Sequence, residues 1–278
     1  MVHIQKFATR SINGFAGRDI FVHGPLQLRL QVLDLLVQHC SDQVSALKKK
    51  ESYLLTSLQQ AALRSMDIAG IWLFISKTLA PSQVHDQDTE ARIFHRIISI
   101  SSSLIRLRRD LVTHTLPHLG MVLRQLLLST RRCRSNLGAK QKNLVMNTQP
   151  QWISASHPLG AEEGKALGRL LESLNAKTTV RILSSSTSDS QKAESLAKPF
   201  SKHAAYVLQA YIEAMNDSLC ILSLEVRKEL EVGLFALCAM VNEHSRDALM
   251  ISALDAGGKA TLKALWKEYE KQRYVGKG

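Results

Sequence analysis

The sequence predicts an all-α protein built as an irregular, solenoid-like stack of helices, and three observations carry that reading. Apolar residues recur at steps of three and four through nearly every segment. Aromatic residues make up only 5% of the chain and prolines number 6, both low for an all-β design. With 278 residues, 45% of them hydrophobic, the chain can bury a sizeable core.

The elements follow in order. The opening MVHIQKFATRSINGF lacks the long apolar core of a secretory signal peptide; it carries two cations and no acid, which leaves a mitochondrial presequence as an alternative. Gly24 and Pro25 then introduce a helix from Leu26 to Cys40, with Leu26, Leu30, Leu33 and Val37 on one stripe. A second helical run covers about Asp42 to Leu63 and a third about Met66 to Leu79, which Pro81 stops. Ile93, Ile97, Ile100, Leu104, Leu107 and Leu111 predict a helix with a packing stripe, and Arg92, Arg96, Ser99, Ser103, Arg106 and Asp110 follow the same steps one residue earlier. Pro117 suits the first turn of the next helix, where its missing N–H is not needed, and that helix runs through Leu119, Val122, Leu123, Leu126 and Leu127 to about Arg132.

From Arg134 to about Pro158 periodicity fails, and the stretch reads as the main internal linker or an extended crossover, with Trp152 and Ile153 its one sizeable apolar pair. A short helix is expected at about Ala161 to Leu174. SSSTSDS, Ser184 to Ser190, reads as a spacer loop, with a phosphorylation loop as the alternative. Three more helices are expected at about Pro199 to Met215, Ser223 to Val241 and Ala256 to Tyr274, with Ser223 as an N-cap and Glu225 in the first turn behind it. No fixed-period repeat is visible.

Charge is the second theme. The formal net charge is +12, and the window from Arg92 to Lys142 holds eleven basic residues against one acid, Asp110, a balance of +10. The eleven are Arg92, Arg96, Arg106, Arg108, Arg109, Arg124, Arg131, Arg132, Arg134, Lys140 and Lys142. Nine are arginine, whose planar fork matches phosphate and carboxylate. They are the candidate face for RNA or an acidic partner; the alternative is a set of solvated helix faces. No RNA-recognition aromatic signature accompanies them, so any RNA contact is expected at phosphates and gives affinity without sequence choice.

Catalytic and metal motifs fail on inspection. GAEEGKA, Gly160 to Ala166, has three residues between its glycines where a phosphate loop needs four, and Ala166 where a magnesium-binding hydroxyl belongs. Gly160, Gly164 and Gly168 are instead expected to let another helix approach closely. His114 and His118 have the spacing of a metal pair, but Pro117 lies between them and no third ligand is evident. Cys40, Cys133, Cys220 and Cys238 are scattered, which predicts neither a disulfide framework nor a zinc module and fits a reducing compartment. No cofactor, metal, membrane span or small-molecule substrate is expected.

KPFSKHAAYVLQAYIEAM from Lys198, LSLEVRKELEVGLFALCAMVNEH from Leu222 and ALDAGGKATLKALWKEYEK from Ala253 resemble the C-terminal domain of a nucleolar family, the unhealthy ribosome biogenesis protein two or nucleolar preribosomal-associated protein two family. SSLIRLRRDLVTHTLPHLGMVLRQLL, Ser102 to Leu128, resembles the front half of that domain. The resemblance implies a C-terminal helical domain over 102–278, with loops near 134–158 and 184–190; the periodicity before it reads as an N-terminal helical segment, 1–101, continuous with the helices that follow. It also implies a non-enzymatic nucleolar scaffold in early large-subunit (60S) ribosome biogenesis, working with a helicase-containing set of assembly factors and needed for pre-rRNA processing. The contacts would be rRNA phosphates or acidic assembly factors; the alternative is a generic intracellular helical adaptor that binds an acidic protein or a membrane surface. Members of the family are normally much longer and carry this domain at their far C-terminus, so the chain is expected to be a fragment, a truncated gene model or a reduced paralogue. No catalytic motif defines the family, so no active-site residue carries over. Within the most specific stretch, Tyr206, Val207, Leu208, Tyr211 and Ile212 are expected to pack, and Ser201, Lys202 and His203 to cap and pack near a helix start.

Overall fold

The computed structural model of the protein describes residues 2–40, 63–87, 89–177 and 195–275. The helical run expected from Asp42 and the serine-rich stretch at 184–190 lie outside the described residues. In chain order the helices are α1 (Val2–Gly17), α2 (Ile20–His23), α3 (Leu26–Cys40), α4 (Ser65–Thr78), α5 (Ala91–Leu107), α6 (Arg109–Val112) and a 3-10 turn (Thr113–Thr115). They continue as α7 (Leu116–Ser129), α8 (Ala139–Met146), α9 (Ala161–Ser173), α10 (Ala197–Asn216), α11 (Leu224–Met240), α12 (Glu243–Ala248), which runs into a π-helical turn (Leu249–Ala253), and α13 (Ala256–Val275). Among the described residues the one sheet is an antiparallel ladder of β1 (Arg132–Cys133) and β2 (Cys220–Ile221), so the all-α class holds. No described helix is long and apolar enough to cross a membrane.

The helices stack in two layers. α1, α4, α7, α10 and α13 pack each on the next, and α3, α5, α9 and α11 do the same beside them, with α10 against α11 joining the layers. One apolar core runs through the stack from Ile12 to Leu262. The local signals act where the spacing places them. The Ser223 hydroxyl accepts from the Val226 N–H at 3.3 Å and starts α11, while Pro117 sits in the first turn of α7. The Asn242 side chain accepts from the Ser245 N–H at 2.7 Å and starts α12.

The stripe of α5 is as phased: Ile93, Ile97, Ile100 and Leu104 are all fully buried. Leu104→Ala is therefore expected to cost about 2–5 kcal/mol of unfolding free energy, read by chemical denaturation. An unchanged transition midpoint would mean that α5 packs through another face.

Three expectations need correction. The helix foreseen through Leu111 breaks after Leu107, because Arg108 turns out of helical geometry and the chain re-enters as α6. The break turns the Arg109 guanidinium inward, where it donates to the carbonyls of Ala176 at 3.1 Å and Ile105 at 3.4 Å. It also brings Thr115 within 2.9 Å of the Trp72 indole N–H. The stretch from Arg134 to Pro158 is not a linker but an ordered crossover, the second of its two expected forms. Pro81 bridges to Pro150, and the amides of Ser82, Asp86 and Glu90 donate to the carbonyls of Gln149, Gln151 and Trp152. α8 lies within it. Finally, α12 forms between Val241 and Ala256, where no helix was expected, while α1 and α2 give individual helices to the opening of the expected 1–101 helical segment, where none had been placed; Ala8, Ile12 and Ala16 of α1 lie on one buried stripe at steps of four.

Candidate nucleic-acid interface

The eleven basic residues of the Arg92–Lys142 window do not share one face, and the structure sorts them by what neutralises each. On α5 the Arg92 guanidinium donates to both carboxylate oxygens of Glu90, at 2.8 and 2.9 Å, and Arg96 pairs with Asp34 of α3 at 2.5 Å. Arg92 and Arg96 are exposed, but each already faces a carboxylate. Arg106 is exposed and makes no ion pair among the described residues. Arg108 pairs with Asp110 at 3.1 Å and donates to the Leu63 carbonyl at 3.0 Å. Arg109, 4% exposed, belongs to the core and is corrected out of the candidate face; burial lowers its pKa.

A second group gathers around the end of α10. Arg124 on α7 pairs with Glu213 at 2.6 Å and lies over the ring of Tyr206, 4.8 Å from its centroid. Arg131 pairs with Asp217 at 3.2 Å, and Arg134 donates to the Asp217 main-chain carbonyl at 3.2 Å. Asp217 is the hub here. Its carboxylate accepts from the amides of Leu219 at 2.8 Å and Cys220 at 3.2 Å, which fixes the approach to β2 opposite β1. Burial acts to raise the Asp217 pKa, but the Leu219 amide, the Cys220 group and the Arg131 charge outweigh it and hold the carboxyl below its usual value. Arg124, Arg131 and Arg134 are thus all engaged with α10 or the turn that follows it.

Arg132, Lys140 and Lys142 remain. All three are exposed and make no ion pair among the described residues, Arg132 on β1 and the lysines on α8. Lys142 lies near enough to Cys133 to oppose the burial that raises that thiol's pKa, and Arg132 near enough to Glu225 to help lower that carboxyl's pKa. Their positive charge therefore meets solvent at the edge formed by β1 and α8. A surface of this kind can hold phosphates by long-range attraction and counterion release without a shaped pocket.

The motif of the most specific stretch divides as well. Tyr211 is buried as expected, whereas Tyr206 is 43% exposed and serves as the platform for Arg124 rather than as a packing residue. α10 begins at Ala197, so Ser201 stands one turn inside it; its hydroxyl donates to the Lys198 carbonyl at 2.7 Å and caps nothing. Lys202 is exposed, and His203 packs against α7 where Gly120 faces its ring.

The Gly160–Ala166 segment also has a structural explanation. The Glu163 carboxylate accepts from the Gly160 N–H at 2.8 Å and contacts His95 Nε2 at 3.0 Å, occupying the place at the start of α9 that an anion would take. Gly164 and Gly168 face the α11 backbone at Val226 and Glu229, as the close-approach reading expected, while Gly160 does not reach it. Among the described residues no group of three or more His, Cys, Asp and Glu is placed to hold a metal.

Sequence reasoning passed over one basic feature. α13 carries Lys259, Lys263, Lys267 and Lys271 at steps of four, but Glu268 and Glu270 dilute its net charge, so a search for charge-dense windows misses it. Counting lysines at helical spacing would have found it.

In comparisons with known proteins, the model of the Urb2/Npa2 family matches residues 46–277. No curated protein and no solved structure matches the chain.

Proposed function

The chain belongs to the Urb2/Npa2 family, a family of ribosome-biogenesis proteins, and from that membership we propose that it serves as a non-enzymatic nucleolar scaffold of early large-subunit precursors. In this reading it acts in pre-rRNA processing beside a helicase-containing group of assembly factors, and holds rRNA by its phosphates. The family match over most of the chain carries the assignment. The exposure of Arg132, Lys140 and Lys142, none of which makes an ion pair among the described residues, supports the choice of phosphate as the contacted group, because an anion there displaces counterions and breaks no ion pair. Arg106 adds a further cation on α5 without an ion pair among the described residues.

Co-sedimentation of the tagged protein with large-subunit precursors tests the assembly role. The phosphate contact is tested with Arg132→Gln, Lys140→Gln and Lys142→Gln combined. This variant is expected to fold normally, to bind unrelated RNAs equally weakly, and to flatten the dependence of log affinity on log salt by about 0.7–0.9 for each phosphate it no longer neutralises. Arg92→Gln with Arg96→Gln is expected to change that slope far less, since Glu90 and Asp34 already neutralise those cations. Entry of the triple variant into precursor particles at wild-type level with an unaltered salt slope would overturn the phosphate reading. Failure to capture one acidic assembly factor with RNA binding intact would replace it by a protein-docking surface.

A further inference from the structure

The structure presents a second row of cations, far in sequence from the first. α13 packs on α10 and, more lightly, on α11 through Gly258, Leu262, Leu265 and Tyr269. Asn216 at the end of α10 donates to the Thr261 hydroxyl at 3.0 Å, and Tyr269 lies 6.1 Å from Phe235 of α11, so the helix is held at two points along one side. With that face committed, Lys263, Lys267 and Lys271 stand exposed on the far side, and the half-buried Lys259 at the flank continues the same row. Four residues of helix advance about 6 Å and turn about 40° past a full circle, so the row is a slow spiral with steps on the scale of successive phosphates in a single strand.

Three facts make this row unusual for a solvated face. Like charges at i, i+4 repel, and here three such steps follow one another. Lys259 lies in the first turn, where the helix dipole disfavours a cation. Lys271 has an ion-pair partner, Glu268 at 2.8 Å, but Lys259, Lys263 and Lys267 have none among the described residues, although Glu270 lies on the same helix. Ala260 and Ala264, both exposed beside the row, leave the approach to it open.

From this we infer that the Lys259–Lys263–Lys267 row of α13 is a second binding surface for the sugar-phosphate backbone of single-stranded RNA, an inference that rests on the reading of the protein as an rRNA-contacting scaffold. A phosphate chain supplies anions at regular intervals along one line, which a rigid row of lysines matches. Lysine, a compact point charge, holds phosphates without the planar geometry that a carboxylate pair with arginine exploits. α13 also starts beside Asn216, next to the Asp217 hub that anchors β2 against Arg132-bearing β1. One strand could therefore run from the β1–α8 edge on to α13.

The test uses the whole chain and a fluorescent oligouridylate, titrated over a series of salt concentrations. Lys259→Gln, Lys263→Gln and Lys267→Gln together are expected to flatten the log–log salt slope by about 2, at roughly 0.7 for each single-strand phosphate released, and to weaken low-salt binding on the order of 10- to 100-fold. The corresponding triple arginine variant should retain the wild-type slope. Photo-crosslinking of the unaltered protein to an oligouridylate containing 4-thiouridine should mark peptides of α13, which keeps the inference testable if the glutamine variant loses helix. An unchanged slope in the α13 variant, alongside a flattened slope in the Arg132/Lys140/Lys142 variant, would overturn the α13 surface and leave the proposed function standing. Unchanged slopes in both would overturn the two together. If the α13 variant kept RNA binding and lost binding to polyglutamate, the row would be a site for an acidic protein and the inference would fail.

Discussion

Trp152→Ala is expected to lower the free energy of unfolding by about 3–5 kcal/mol, the range for removing a fully buried tryptophan. Trp152 is 1% exposed, and its indole N–H donates to the Thr78 carbonyl at 2.9 Å, at the end of α4. Its own carbonyl accepts from the Glu90 amide just before α5. One residue thus fixes the crossover between α7 and α9 to both α4 and α5. Removing the ring opens a cavity and leaves the Thr78 carbonyl without its buried donor. Trp152→Phe keeps most of the ring's volume and loses the hydrogen bond, so it should cost less, about 1–3 kcal/mol. Denaturant unfolding followed by circular dichroism measures both. A change below about 1 kcal/mol for the alanine variant would show that the crossover contributes little to the core.

Gly168→Val is expected to be damaging for the opposite reason, overpacking. A Cβ at Gly168 would lie 2.5 Å from the Glu229 carbonyl oxygen, and one at Gly233 would lie 2.7 Å from the carbonyl oxygen of Gly168. α9 and α11 therefore touch backbone to backbone, and neither obstacle is a side chain that could swing aside. The helices must separate, which exposes Leu167, Leu171 and Leu230 around the contact. The expected cost is about 3 kcal/mol or more, at the upper end of overpacking penalties. Gly14→Ala is the contrasting control: Gly14 lies inside α1 with nothing within 4 Å of the added methyl, so the change should stabilise by roughly 0.5–1 kcal/mol. Equal stabilities of the Gly168→Val and wild-type proteins would refute the backbone contact.

The α9 glycines also show how far the sequence could be read. Gly164 and Gly168, four residues apart on a helix, signalled a close neighbour, and that neighbour is α11. Gly233, the other half of the contact, gave no such signal because a single glycine inside an apolar helix looks like a packing irregularity. Trp152 and Ile153 stood out as the apolar pair of an irregular stretch. Their burial was not legible, since the hydrogen bonds that order the stretch come from Ser82, Asp86 and Glu90, more than 60 residues earlier in the chain.

The candidate site was legible in its composition and not in its geometry. Counting charges located the window but could not tell a solvent-facing arginine from a structural one, because the neutralising acids are remote. Glu213 lies 89 residues from Arg124, and Asp217 lies 86 residues from Arg131. The Lys259–Lys271 row was hidden by the reverse effect, glutamates that are near in sequence but leave three of the lysines without an ion pair among the described residues.

The sequence by itself determined the all-α class, the phase of most helices and the family, since each rests on residues close together in the chain: apolar spacing, caps and short ordered motifs. Which cations are held in ion pairs was decided in the tertiary structure alone. An ion pair is set by a separation of a few ångströms in space, and the fold brings Asp34, Glu213 and Asp217 onto some arginines while leaving Arg132, Lys140 and Lys142 to the solvent.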